Sequence, residues 1–237
     1  MQGALAICFI KHEKYIYRLV PMNNELEYTE FYDKKAQSEA EDFLKANWSS
    51  EKSMQSRFKV LSNVVNIFDN IKILDIGCGP GNLEKYLTSK YKDLEITGID
   101  TSETMLSYAR SKNLDIKFMI GNLVDLPFKI NTFDLTISLG VFQNFDGDID
   151  KAVHEICRVT KKSGHIFVTT IDSEYVGYKA GRLKMNNFYK HYNPLNLSKI
   201  FERNKINIIS MESFSTETSE ILPLHQWNKF FIYGKKY

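Results

Sequence analysis

The sequence predicts an α/β fold: a doubly wound, mostly parallel seven-stranded sheet preceded by an N-terminal helical cap. Two observations carry the prediction. From Ile71 onward short apolar runs alternate with segments of helical periodicity, the order that builds right-handed βαβ units with both sheet faces covered. The chain has 237 residues, 43% hydrophobic and 25% charged, which suits one globular domain with a substantial core. No internal repeat or low-complexity linker divides it.

Taken in order, residues 1–21 carry two strand-like runs, Leu5–Ile10 and Tyr15–Val20, around Lys11–Lys14. They read as an appended hairpin or as a dispensable extension, with Met22 a second plausible start. Residues 22–70 form the helical lead-in, with helices expected over Glu30–Ala46 and Ser53–Phe68. In the second, Met54, Phe58, Leu61, Val65 and Phe68 recur at steps of three and four and mark a core-facing stripe. Residues 71–237 form the main domain. Strands are expected over Ile71–Ile76, Glu95–Ile99, Lys117–Ile120, Phe133–Leu139, His165–Ile171, Ile206–Phe214 and Lys229–Tyr233.

Helices fill the intervals. Asn82–Tyr91 follows the first strand, and Ser102 caps a helix to Lys112. Between Asp148 and Thr160, Ile149, Ala152, Val153, Ile156 and Cys157 share one face, so Cys157 belongs to the core. Asn193 followed by Pro194 opens a helix to Arg203.

Charge and cysteine usage narrow the function classes. Lysine and arginine number 31 against 29 acidic residues, a net charge of +2, without the basic excess expected of a nucleic-acid binder. Cys8, Cys78 and Cys157 are odd in number and lack CxxC spacing; they read as reduced thiols of a cytoplasmic protein, with no zinc site. No apolar run reaches the ~20 residues of a membrane span. The apolar stretch Ala4–Ile10 lacks the flanks of a secretory signal.

In an open parallel sheet, ligands bind beyond the carboxyl ends of the strands. The loop after the first strand reads ILDIGCGPGN, with Gly77, Gly79 and Gly81 opening a helix and Asp75 inside the strand. The spacing is G-x-G-x-G, and Asn82 stands where a dinucleotide fingerprint has its third glycine. An acidic residue beside this loop suits a ligand with a positive α-amino group better than a pyrophosphate. Asp100 ends the second strand, where a carboxylate accepts hydrogen bonds from ribose hydroxyls.

ILDIGCGPGN, then GIDTSETMLSYAR, GNLVDLPF, FDLTISLGVFQNF and EICRVTKKSG, resemble the class I S-adenosylmethionine-dependent methyltransferases. Within them the likeness is greatest to the small-molecule branch that includes ubiquinone and menaquinone biosynthesis enzymes. It covers roughly Ile71–Ile171 and implies a Rossmann-like methyltransferase fold and S-adenosylmethionine as cofactor. It also implies roles. Gly77, Gly79 and Gly81 hold the methionine portion, with Asp75 and Cys78 near its amino group. Asp100 takes the ribose, and Thr101, Met105 and Leu123 pack along the adenine. Asn122 meets the adenine amino group where relatives often carry Asp. Leu139, Gly140, Gln143 and Asn144 border the methyl group and the methionine carboxylate, and many relatives have histidines at the last two positions.

The acceptor is expected to be a small molecule, apolar or aromatic. The lid segment 172–192 contains Tyr175, Tyr178, Phe188, Tyr189, His191 and Tyr192, and the lead-in adds Tyr28, Phe31, Tyr32 and Trp48; these rings line an acceptor or simply pack the cap. His191 and His225 are the candidate bases, with Gln143 and Tyr178 completing the catalytic set. Arg57, read as lying on the polar side of its helix, reaches the methionine carboxylate or serves the surface. The competing readings are an RNA or DNA methyltransferase, a non-catalytic S-adenosylmethionine-binding subunit and a nicotinamide-dependent oxidoreductase. The first is disfavoured because LGVF stands where base-amino methyltransferases carry an Asn/Asp-Pro-Pro-aromatic motif.

Overall fold

A computed structural model describes residues 25–37, 41–185 and 189–237. The expectations for residues 1–21 lie outside this set. Five strands run parallel: β1 (Lys72–Ile76), β2 (Glu95–Asp100), β3 (Lys117–Ile120), β4 (Phe133–Leu139) and β5 (Thr160–Ile171). β6 (Ile206–Phe214), β7 (Ile221–Leu222) and β8 (Lys229–Lys236) complete an antiparallel flank, giving the order β3-β2-β1-β4-β5-β8-β6-β7. Among the described residues the sheet thus has eight strands where seven were expected. The addition, β7, pairs only Ile221 and Leu222 with Phe214 and Ser213, too short for an alternating pattern to register.

Helices α4 (Asn82–Lys90), α5 (Glu103–Ser111), α6 (Ile149–Val159) and α8 (Pro194–Arg203) follow the expected segments, and α7 (Val176–Lys179) lies in the lid. Ser102, Asp148 and Asn193 each accept a hydrogen bond from the backbone N–H three residues on, satisfying one free donor at each helix start. Two apolar layers sandwich the sheet. One joins Leu74, Ile99 and Val168 to Ile156 of α6 and Phe201 of α8; the other joins Ile73, Leu135 and Phe167 to Phe58 and Leu61 of the lead-in.

The lead-in departs from expectation twice. In place of one helix over 30–46, the chain forms α1 (Glu25–Ala36) and α2 (Asp42–Lys45). Lys35 Nζ donates to Leu44 O at 3.1 Å and the buried Lys45 Nζ to Ala36 O at 3.2 Å, so each lysine ties its own helix to the C-terminal end of the other. α3 (Glu51–Val64) stops before Phe68, whose side chain is exposed. Met54, Phe58, Leu61 and Val65 are buried as the stripe requires.

Candidate active site

The loop between β1 and α4 arranges its backbone by glycine. Gly77 has φ +74°, and a Cβ there would stand 2.3 Å from Val141 Cγ2. Gly79 has φ +53°, yet a Cβ would meet nothing within 4 Å: its missing side chain faces open space. Gly77 and Cys78 N–H groups both donate to Ile99 O, at 2.8 and 3.0 Å, pinning the loop to the end of β2. Asp100 ties the same two elements, its Oδ2 accepting from Gly79 N at 2.9 Å and its Oδ1 from Ser102 N at 3.0 Å.

Above these strand ends lies a cavity of about 600 Å³. Of the residues named from the sequence, Asp75, Gly77, Cys78, Gly79, Asp100, Thr101 and Met105 line one part of it. Asn122, Leu123, Leu139, Gly140, Gln143 and Asn144 line the rest. Gly81 caps α4, and its Cα hydrogen points toward Ala109 rather than into the cavity. The structure does not bring His191, His225, Tyr178 or Arg57 to the cavity wall.

Two carboxyl groups, Asp75 and Asp100, line the floor, and a third, Glu84, is fully buried beside Asp75. Asp75 is buried, and desolvation lifts its pKa from 3.8 to about 7. Burial and the neighbouring Asp75 push Glu84 of α4 well above the usual carboxylate range. Neither Glu84 oxygen has a donor among the described residues, and the neighbouring Asp75 charge disfavours its ionised form. Gly98 makes room for the two carboxyls, since a Cβ on it would lie 2.8 Å from Glu84 Oε1. Burial also raises Asp100, against the backbone N–H groups of Ser102, Gly79 and Thr101 that hold it down. Glu84 carried no sequence signal: it reads as a solvated helix residue.

This floor fits S-adenosylmethionine. The open space over Gly79 accommodates a ligand against bare backbone. Asp75 is a carboxyl short of a cation, which an α-amino group supplies. Asn144 lines the cavity, and its buried Oδ1 has no donor among the described residues. Asn122 Oδ1 accepts from Val124 N at 3.0 Å, and a carbonyl oxygen retains a second lone pair.

α1 covers the cavity by polar contacts. Asn144 Nδ2 donates to Tyr32 Oη at 3.1 Å, Thr29 Oγ1 to Thr101 Oγ1 at 3.3 Å, and Ser102 Oγ to Asp33 Oδ1. At the other end the Trp48 ring lies over Gly140, where a Cβ would come within 2.8 Å of Trp48 Cη2. Arg57, expected on the polar face of its helix, is instead buried and stacks 4.2 Å from the Trp48 ring centroid. His225 Nδ1 lies 2.8 Å from Oδ2 of the fully buried Asp172. His191 packs edge-to-face with Tyr178 at 5.8 Å, and burial lowers its pKa. The side chains of Tyr28 and Phe188 lie outside the described residues.

Comparison with known proteins agrees with this geometry. A family profile described as a methyltransferase domain matches residues 73–164. The chain is 32% identical over 173 residues to a malonyl-[acyl-carrier protein] O-methyltransferase of Buchnera aphidicola, covering 71% of this chain and 68% of that one. The chain belongs to the class I S-adenosylmethionine-dependent methyltransferases. S-adenosylmethionine is the cofactor this membership implies. The chain is also 37% identical over 98 residues to a demethylmenaquinone methyltransferase of Thermotoga maritima, covering 41% of this chain and 42% of that one. It is 37% identical over 134 residues to the ubiquinone/menaquinone biosynthesis C-methyltransferase UbiE of Rickettsia prowazekii, covering 52% and 51%. It therefore spans about half the length, or less, of these two relatives. Among solved structures, the [4+2]-cyclase SpnF superposes with a TM-score of 0.70 at 16% identity, over 92% of this chain and 98% of that one. An S-adenosylmethionine-dependent methyltransferase from Mesorhizobium loti gives 0.63 at 16%, over 76% and 98%. These two likenesses concern the fold alone.

Proposed function

We propose that this protein transfers a methyl group from S-adenosylmethionine to a small-molecule acceptor in the cytoplasm. The observation that carries the reading is the pairing of the open Gly79 backbone with Asp100 at adjacent strand ends, both facing one cavity. Bound there, S-adenosylmethionine supplies a methyl group already activated by its sulfonium. Asp75 and the loop N–H groups bind the methionine portion, Asp100 the ribose, and Thr101, Met105, Asn122 and Leu123 the adenine. α1 and Trp48 exclude water, and Leu139, Gly140, Gln143 and Asn144 border the acceptor. Orientation within such an enclosure supplies effective molarities on the order of 10⁵ M in favourable cases. The apolar and aromatic wall, with Trp48, Phe58 and Phe145, favours an apolar or planar acceptor. The relatives' names include both malonyl-[acyl-carrier protein] and demethylmenaquinone as methyl acceptors.

Neither candidate base, His191 or His225, lines the cavity. The Asp172–His225 pair has the geometry of an oriented base, set apart from the cavity lining. The test is transfer of radiolabelled methyl from S-adenosylmethionine to a panel of small phenols, quinols, acids and amines. Labelled product from one class supports the reading. Cofactor binding without transfer to any of them favours a non-catalytic subunit.

A further inference from the structure

Two cations lie near the acceptor end of the cavity with no carboxylate paired to them among the described residues. Arg57, on α3, donates through Nη1 to Ser53 O at 2.6 Å and Ser53 Oγ at 2.7 Å. The rest of its guanidinium makes no hydrogen bond among the described residues. Lys229 opens β8, and its Nζ donates to Gln143 Oε1 at 3.3 Å and lies 5.9 Å from the Tyr189 ring centroid. Neither side chain forms an ion pair among the described residues. The neutral groups Gln143, Asn47 and Tyr189 surround them, Asn47 Nδ2 donating to Tyr189 Oη at 2.9 Å.

Unpaired buried charge is costly, and two like charges side by side add to that cost. Burial draws the Arg57 pKa down to about 9, and burial with the Arg57 charge draws Lys229 well below its usual range. Lys229 is enclosed by protein yet keeps some accessible surface, as a side chain at the wall of a recess does. Its one hydrogen bond is long and goes to a neutral amide. A carboxylate taking the place of that oxygen makes a shorter, charge-assisted bond.

Sheet order decides which ligand the pair faces. Lys229 pairs with Ile171 at the end of β5, and β8 lies two strands beyond β4 in the order β1-β4-β5-β8. With strands about 4.8 Å apart, Lys229 stands roughly 10 Å from β4 on the side away from the glycine loop. Gln143 and Trp48 line the cavity, and each contacts one of the two cations. We propose that the acceptor is a carboxylic acid whose carboxylate seats against Lys229 and Arg57, between Gln143, Trp48 and Tyr189. The proposal rests on the small-molecule methyltransferase reading and adds the acceptor's charge to it.

The test uses the full-length protein saturated with S-adenosylhomocysteine and four acids of graded size: acetate, benzoate, cinnamate and octanoate. Each is compared with its uncharged amide by calorimetric titration. At least one acid is expected to bind ten or more times tighter than its amide. Lys229→Met abolishes that preference and Lys229→Arg retains it, while both keep the parent's affinity for S-adenosylhomocysteine. Lys229→Met also raises the unfolding midpoint of the free protein by about 2–4 °C, where a structural lysine would lower it. Amides binding as well as acids, or no acid binding, overturns the proposal. So does a loss of S-adenosylhomocysteine affinity in Lys229→Met, which would give the charge to the cofactor's own carboxylate. If the parent protein fails to bind S-adenosylhomocysteine, the methyltransferase reading itself fails, and that result is seen before any acid is added.

Discussion

Replacing Asp100 by alanine removes the carboxylate proposed to bind the ribose. In the structure its two oxygens face the cavity while holding Gly79 N at 2.9 Å and Ser102 N at 3.0 Å. Each oxygen retains a lone pair for a ribose hydroxyl, and a hydrogen bond to a charged group contributes about 1.5–3 kcal/mol. Two such bonds sum to about 3–6 kcal/mol. The lower end is the better expectation, because burial already disfavours the ionised Asp100 and alanine relieves that cost. About 3 kcal/mol corresponds to a loss in affinity of roughly 100-fold. The assay is calorimetric titration with S-adenosylhomocysteine, after circular dichroism shows that the variant is folded. Asp100→Asn, which keeps one acceptor oxygen, should fall between parent and alanine. An alanine variant within about threefold of the parent would refute the ribose assignment.

Three further outcomes follow from the same structure. Because free Asp75 titrates at about 7 and a bound ammonium favours its ionised form, S-adenosylhomocysteine affinity is full above that pH. It falls by up to about tenfold per unit as pH drops through it, and a titration series from pH 8 to 5.5 should show this slope in the parent and lose it in Asp75→Asn. The sign reverses for folding of the free protein: Asp75 is raised from 3.8, so its contribution is fully present below about 3.8 and is lost as pH rises toward 7. Gly79→Val places a β-branched side chain at φ +53° in the open space over the loop; cofactor binding should disappear, and a variant that binds normally would mean the cofactor lies elsewhere. Ile156→Ala, at a fully buried core position of α6, should lower unfolding stability by about 2–5 kcal/mol in urea with S-adenosylhomocysteine affinity unchanged.

What the sequence disclosed follows from how local each signal is. The five parallel strands and their helices were legible because each carries its own periodicity and caps, as at Ser102, Asp148 and Asn193. Most of the cavity wall was legible too, since a parallel sheet places the ends of β1, β2 and β4 side by side. The features that escaped depend on contacts between distant segments. Lys35 and Lys45 stabilise a helix break that propensity does not mark. Glu84 has the spacing of an exposed helical residue, and only the absent side chain of Gly98, across the fold on β2, lets it meet Asp75. Arg57 reads as polar surface until the Trp48 ring is laid over it. Lys229 closes a strand-start pattern in sequence and a cation pair in space.

The central claim is that this cavity binds S-adenosylmethionine, and thermal unfolding with and without S-adenosylhomocysteine tests it most directly, with NAD as the control. A ligand at 100 times its dissociation constant adds about 2.7 kcal/mol, which moves the midpoint of a domain this size by roughly 5–11 °C. A shift of that size with S-adenosylhomocysteine and none with NAD is the predicted result. No shift with saturating S-adenosylhomocysteine, or an equal shift with NAD, would contradict the account.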